Sequence, residues 1–276
     1  VSGFIVAARR TAVMPRGGAF ARLSLSDLAV PVIGACLSDA GIGRNEVDEV
    51  IVANALGAGG NPARVVALAA GLPERVAGLT IDRQCAGGLD AVLLAQAMVA
   101  SGMAQVIVAG GVESYSRRPL RLATDPDGGP AVPYDRPGFT PWAERDPDMH
   151  VAAGALATAL GIGRAEQDDW AIQSHAKALA SSHPEVVELL GQGCDGFARL
   201  LTARTTMRAK ALAGSVTVAN AAIAADAAAF VVVVGAARAR AIGGALRIVA
   251  GATLGGHPEE PGLAPVAAIR QALSQA

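Results

Sequence analysis

Ile81-Asp82-Arg83-Gln84-Cys85-Ala86-Gly87-Gly88-Leu89-Asp90-Ala91-Val92 is the stretch on which the reading of this chain turns. The apolar run Leu79 to Arg83 reads as a strand, and a helix is predicted from about Ala86 to Ser101, with Leu89, Val92, Leu93 and Gln96 on neighbouring turns. Cys85 falls in the turn between them. A thiol in that position faces unpaired amides and the positive end of the helix dipole, which favour the thiolate and lower its pKa. Ala86, Gly87 and Gly88 leave little side-chain bulk, so a large acyl donor has room to approach and backbone amides can face a developing oxyanion. Taken alone, a lone cysteine at a strand end reads first as a small buried residue, which is what most such cysteines are.

Strand and helix signals alternate on the amino-terminal side. Gly3 to Ala8 is a short apolar run, and Leu25 to Asp39 has helical spacing through Leu28, Val32 and Cys36. Glu49 to Leu56 is a second run rich in Val and Ile, and Asn61-Pro62 opens a helix that Gly71 closes. This βαβα order predicts a mainly parallel sheet covered by helices, an α/β fold. On the carboxy-terminal side, Gln105 to Ala109 reads as a buried strand ending at Gly110-Gly111. From Arg117 to about Met149 the pattern breaks into Pro, Gly, Asp and aromatic residues, a long irregular stretch of the functional kind. Tyr115, Tyr134, Phe139 and Trp142 either line a substrate entrance or form the small core of a loop-rich subdomain, and the two readings are compatible. Helical periodicity returns over Val151 to Leu160 and Arg164 to Leu179. Ser215 to Ala219, Ala227 to Val234 and Leu246 to Gly251 read as strands, and Pro265 to Leu273 as a final helix.

Composition closes off several function classes. The formal charge is -1 and no Lys/Arg cluster alternates with aromatics, so nothing marks a nucleic-acid surface. Arg117, Arg118 and Arg121 form the one local basic cluster, either a phosphate contact or a solvated face. No apolar stretch approaches the roughly 20 residues of a membrane helix, and the start lacks the basic region of a signal peptide. Three scattered cysteines, Cys36, Cys85 and Cys194, give no disulfide framework and no CxxC metal pair. A soluble, cytoplasmic protein without nucleic-acid or membrane partners is expected.

The segment at 81–92 resembles the nucleophile segment of thiolases, and Val108-Ala109-Gly110-Gly111-Val112-Glu113-Ser114 resembles the Gly-Gly-x-Glu-Ser strand end that follows it in that family. Ala8-Arg9-Arg10-Thr11, Gly60-Asn61-Pro62-Ala63-Arg64, Glu166-Gln167-Asp168 and Ser174-His175-Ala176-Lys177-Ala178 are similar to further thiolase landmarks in the same order. The resemblance runs from about Phe4 to Leu273. It implies a layered αβαβα fold with three parts: an amino-terminal half at 1–116 carrying the nucleophile, a loop subdomain covering substrate at 117–207, and a partial carboxy-terminal half at 208–276. It further implies an acyltransferase of lipid metabolism that forms an acyl-enzyme at Cys85 from acyl-CoA, with coenzyme A thioester as substrate and no permanently bound cofactor or metal.

By the same resemblance, Asn220 of Val216-Thr217-Val218-Ala219-Asn220-Ala221 holds a water in an oxyanion hole, although Ala219 and Ala222 stand where Gly and Ser are usual. A turn residue satisfying its own backbone is the alternative. Met149 flanks the acyl pocket between the unusual Asp148 and His150, and Gly87 and Gly88 admit the substrate. His150, His175 and His183 read as surface or helix-face residues. His257 of Gly255-Gly256-His257-Pro258 reads as a loop residue, because the following Glu259 to Arg270 matches an earlier family segment ending in Pro-Val-x-Ala-Ile-Arg. The family's activating histidine and second cysteine are therefore expected beyond Ala276. A homo-oligomer, dimer or tetramer, or a partner chain supplying that portion is implied, and the other reading is a non-catalytic or half-reaction acyl-CoA-binding subunit. Val231 to Val234 is expected to leave an apolar edge for that partner.

Overall fold

A computed structural model describes residues 3–57 and 59–276. In chain order the strands are β1 Gly3–Thr11, β2 Met14–Pro15, β3 Glu49–Ala53, β4 Ala77–Ile81, β5 Val106–Ser114, β6 Arg121–Ala123, β7 Val132–Tyr134, β8 Val186–Val187, β9 Ala211–Ala213, β10 Val216–Thr217, β11 Ala225–Gly235 and β12 Leu246–Arg247. The helices are α1 Leu25–Ala40, α2 Pro62–Ala69, α3 Gly87–Ser101, α4 Met149–Ala159, α5 Arg164–Ala180, α6 Ala203–Met207, α7 Ala236–Ile242 and α8 Ala264–Gln275. Two compact units result. The first takes the chain up to Arg118 with Ser182–Phe197 and Ala224–Ala250, and the second holds Pro119–Ser181, Ala198–Ile223 and Gly251–Ala276.

The first unit is a sheet of order β12-β1-β11-β5-β3-β4, with β2 on β11 and β8 beside β1. β5, β3 and β4 run parallel as the βαβα pattern predicts, but β11 lies antiparallel to both β1 and β5. Its ladder with β5 is unbroken from Asp226 opposite Ser114 to Val234 opposite Val106. Val232, Val233 and Val234 are fully buried. One expectation is corrected here. Ala227 to Val234 does not open a second sheet with an uncovered edge, because it occupies the middle of the first. Hydrogen bonds return this late strand to the amino-terminal body.

Side chains alternate across the sheet with the period of two that strands impose. Val50, Val52, Val108, Phe230 and Val232 join Leu28, Val32 and Val66 in one core cluster. Ile51, Ile107, Ala109 and Val233 pack with Ala91, Ala95 and Val99 in another. The packed face of α3 is thus the small-residue stripe Gly87, Ala91, Ala95 and Val99, while Leu89 is 75% exposed. Helix α1 begins at a capping box, where Asp27 N–H donates to Ser24 Oγ at 3.2 Å and Ser24 N–H to Asp27 Oδ2 at 2.8 Å. It ends at Gly41 in the left-handed region, φ 61°. Asn61 caps α2, accepting from Arg64 N–H at 3.2 Å. Gly110-Gly111 does not end its strand: β5 continues to Ser114, and a Cβ at Gly110 would lie 2.1 Å from the Ala229 carbonyl oxygen of β11.

The segment 182–197 is fastened to β1 by charge. Arg10 donates through Nη1 to Asp195 Oδ1 at 2.7 Å and through Nη2 to Glu185 Oε1 at 2.9 Å, and Val13 N–H donates to Asp195 Oδ1 at 2.8 Å. Burial alone would raise the Asp195 carboxyl, but the Arg10 guanidinium and the Val13 amide outweigh it and hold it below its ordinary range.

In the second unit, α4 turns Ala152, Gly154 and Ala157 inward. The buried Asp168 of α5 accepts from Arg164 Nε at 2.7 Å. Hairpin β6–β7 and the pair β9–β10 complete it. Tyr134, Phe139 and Trp142 are 40–50% exposed, so they do not form a buried core. Arg136 stacks over Phe139 at 4.7 Å and Arg145 over Trp142 at 5.0 Å. No helix among the described residues is long and apolar enough to cross a membrane.

Asp195→Asn is expected to cost about 1–2 kcal/mol near neutral pH, the scale of one charge-assisted hydrogen bond. A carboxyl with a depressed folded-state pKa stabilises the fold above its unfolded value of about 3.9 and loses that contribution as pH falls through the folded value. The difference between wild type and variant in urea melts therefore shrinks below about pH 4.

Candidate active site

Three parallel strands, β5, β3 and β4, end at one edge of the sheet, where β11 begins. In open α/β sheets this carboxyl edge is where ligands collect, since chain leaving each strand forms the rim. A cleft of about 290 Å³ opens there, with Cys85, Arg83, Asn54, Ala55, Glu113 and Gly88 among its lining residues.

Cys85 sits in a 3-10 turn, Gln84–Ala86, between β4 and α3. Gln84 adopts φ 46°, a left-handed conformation that non-glycine residues rarely hold without support. The support is Asp82, whose Oδ1 accepts from Gln84 N–H at 2.8 Å and whose Oδ2 accepts from Gln84 Nε2 at 3.4 Å. Ala86 N–H donates to Arg83 O at 3.0 Å and closes the turn. The reversal leaves Cys85 exposed. No side chain caps the first turn of α3, and Arg83 pairs with Asp90 of that turn.

The two glycines after the cysteine differ in what they do. A Cβ on Gly87 would stand 2.8 Å from Ala53 Cβ, so its bareness lets α3 seat against β3. A Cβ on Gly88 would meet nothing within 4 Å, and Gly88 lines the cleft. The remaining cysteines are placed differently. Cys36 is fully buried, donates to Phe230 O at 3.3 Å, and has its pKa pushed up to about 12 by burial. Cys194 is exposed.

Met149 and Asn220 lie in the second unit, on a largely apolar groove of about 880 Å³ shared with Leu156, Leu160 and Trp170. Met149 opens α4 and is 40% exposed. Asp148 caps that helix, accepting from His150 N–H at 2.8 Å, which with Val151 N–H holds its carboxyl below the ordinary range despite slight burial. Asn220 is held by protein groups on both sides of its amide. Its Nδ2 donates to Asp168 Oδ1 at 3.0 Å and to Ser215 O at 3.2 Å, and its Oδ1 accepts from Thr217 N–H at 2.7 Å. Both amide hydrogens meet protein acceptors, which fastens the turn after β10 to α5.

The four histidines lie apart from the Cys85 cleft lining. His150 stands beside Asp148, with Nδ1 3.3 Å from Oδ1. His175 lies on α5 and accepts from Arg199 N–H at 3.3 Å, and burial with the nearby Arg199 charge lowers its pKa. His183 lies before Pro184, and His257 is a loop residue beside Glu259. Among the described residues no group of three or more His, Cys, Asp or Glu side chains is arranged to hold a metal ion. Sequence reading passed over Asn54 and Glu113 as cleft residues. The available signal was a polar residue at the end of each of two apolar strands.

A sheet with a cysteine turn at its carboxyl edge, followed by a helix and a Gly-Gly strand, defines a class of acyl-transfer fold, and comparison gives it a family. Residues 3–189 match the family described as thiolase, N-terminal domain. A Bacillus subtilis (strain 168) protein provisionally named acetyl-CoA C-acetyltransferase YhfS is 38% identical over 99% of this chain and 74% of its own length. The acetyl-CoA acetyltransferase of Cupriavidus necator is 36% identical over 99% of this chain and 76% of its own. The crystal structure of the Bacillus anthracis acetyl-CoA acetyltransferase is similar with a TM-score of 0.87 at 31% identity, covering 99% of this chain and 76% of that one. The chain belongs to the thiolase family, and it spans about three quarters of the length of these relatives.

Gly87→Ala is expected to lose about 1–3 kcal/mol by overpacking against Ala53, whereas Gly88→Ala gains up to about 1 kcal/mol of helix stability. Urea denaturation of the two variants measures both. A thiol reagent should titrate two cysteines in the folded protein, leaving Cys36 silent until denaturant is added.

Proposed function

We propose that this chain is a thiolase-type acyltransferase in which Cys85 takes an acyl group from an acyl-CoA thioester. The Cys85 sulfur adds to the thioester carbonyl carbon, and the proton it carried leaves with the coenzyme A thiol as the old carbon–sulfur bond breaks. The product is a new thioester on Cys85. A second coenzyme A thiol reverses this step; condensation would further need a base to take a proton from C2 of acetyl-CoA, whose carbanion then attacks the acyl carbonyl and expels the Cys85 thiolate, which takes up a proton. Negative charge develops at the mouth of α3, where uncapped amides and the positive helix end favour it. The observation that carries the reading is an exposed cysteine, held on a reversed turn at the carboxyl edge of the sheet, in a chain more than a third identical to acetyl-CoA acetyltransferases.

The finer parts of the proposal concern each unit by itself. In the first, Gly88 keeps the path to the sulfur open and Gly87 seats the helix; in the second, Met149 borders a groove suited to an acyl chain. Asn220 positions the turn after β10 through Asp168. The protein needs no permanent cofactor, since the thioester bond itself is the activated group. We place it in the cytoplasm and in lipid metabolism, acting as a homo-oligomer or with a partner chain. A second reading, a half-reaction in which the acyl group passes to water or a simple thiol, is favoured by one observation: the described lining of the Cys85 cleft contains no histidine to act as base.

Incubation with acetyl-CoA, followed by mass spectrometry, should add one acetyl group at Cys85. Cys85→Ser should reduce coenzyme A release more than about 1,000-fold, the scale for loss of a nucleophile. An adduct with no condensation product selects the half-reaction, and an unmodified wild-type Cys85 refutes acyl-enzyme formation.

A further inference from the structure

Beside Cys85, the chain leaving β3 is held to the end of β5 by a reciprocal pair of side chains. Asn54, only 8% exposed, donates through Nδ2 to Val112 O of β5 at 2.9 Å, and its own N–H donates to Ile81 O at the end of β4 at 3.1 Å. From the other side Glu113 Oε1 accepts from Ala55 N–H, and from Leu56 N–H at 3.3 Å. Two successive backbone amides thus converge on one carboxylate oxygen. Gly57 completes the fastening: a Cβ there would lie 2.0 Å from Asn54 Oδ1. Asn54, Ala55 and Glu113 line the same cleft as Cys85.

A carboxylate is a costly group to place beside a nucleophilic sulfur, since its charge opposes the thiolate. Its hydrogen bonds to Ala55 and Leu56 give it a different task. Charge-assisted bonds to backbone are stronger and shorter than neutral ones, and two from one oxygen fix a short loop against a rigid strand. We propose that Glu113 is a positioning residue for acyl transfer: it clamps the Asn54–Leu56 loop as a wall of the cleft and so sets the angle at which a thioester reaches Cys85. This role rests on the reading of Cys85 as the acyl acceptor. It also removes the Ala55 and Leu56 amides from service to an oxyanion.

The test uses the full chain and three measurements on wild type, Glu113→Ala and Glu113→Gln. Glu113→Ala should speed hydrogen exchange at Ala55 and Leu56 at least about tenfold, as expected for loss of a charge-assisted hydrogen bond. It should also lower kcat/KM for Cys85 acetylation by acetyl-CoA at least about tenfold, since small misplacements of reacting atoms are costly. Alkylation of Cys85 by iodoacetamide, which needs an accessible sulfur but no oriented thioester, should stay within about twofold. Glu113→Gln keeps an acceptor oxygen at the same reach and should restore both amide protection and most of the acetylation. If Glu113→Ala does not fold, Glu113→Asp, one methylene too short to hold both amides, takes its place. Unchanged exchange at Ala55 and Leu56, acetylation equal to wild type, or acetylation and alkylation falling in parallel would each overturn the clamp. A wild type that takes no acetyl group sinks the acyl-acceptor reading and the proposed role of Glu113 together, whereas an acetylated wild type with an indifferent variant sinks Glu113 alone.

Discussion

The hydrogen-bond ladder that seats β11 between β1 and β5 is the constraint on which the first unit depends. Without it, β1 would have no bonded neighbour joining it to the parallel strands, because β1 reaches β5 only through β11. The ladder is extensive, with nine consecutive register pairs to β5 and seven, interrupted by one register shift between Ile5 and Ala7, to β1. Its residues Phe230, Val232, Val233 and Val234 contribute to both clusters that flank the sheet. The beginning of β11 also supplies Ala227, Ala228 and Ala229 to the cleft, so completing the sheet and forming the site are one event.

That dependence explains which parts of the molecule could be read from sequence. Helix α1 was legible because its information is local: the Ser24–Asp27 box, the Leu28, Val32 and Cys36 spacing, and Gly41 at its end. The place of β11 was not legible in the same way. An apolar run such as Phe230 to Val234 signals a buried strand, but nothing in it names its neighbours, and its partners lie more than 100 residues away in β5 and more than 200 in β1. Gly110-Gly111 misled for a related reason. Glycine pairs punctuate turns more often than strands, and only the closeness of the Ala229 carbonyl explains why bare backbone is needed in the middle of β5.

The site divides along the same line. The turn at Cys85 was recognisable from its motif, and strand, turn and helix fall where the sequence placed them, within two residues. The left-handed Gln84 and the supporting Asp82 carboxylate were invisible, since a backbone angle of that kind is written in no residue type except glycine, and here the residue is not glycine. The surroundings of Asn220 were equally invisible: its amide meets Asp168, Ser215 and Thr217, contacts that span up to 52 residues of sequence. Resemblance identifies a segment more securely than it identifies the work of each side chain within it.

The late position of β11 has a consequence for biosynthesis. A ribosome delivers β1, β3, β4 and β5 first, yet β1 and β5 find their shared neighbour only after Gly235 has emerged from the exit tunnel, with the whole of 119–181 and 198–223 already made. During that interval the facing backbone groups of two strands are unpaired, the condition in which nascent chains are most exposed to wrong partners. Assembly of the first unit must therefore wait for translation of the insertion, and slow decoding at any point between the emergence of β5 and that of Gly235 would prolong the vulnerable state.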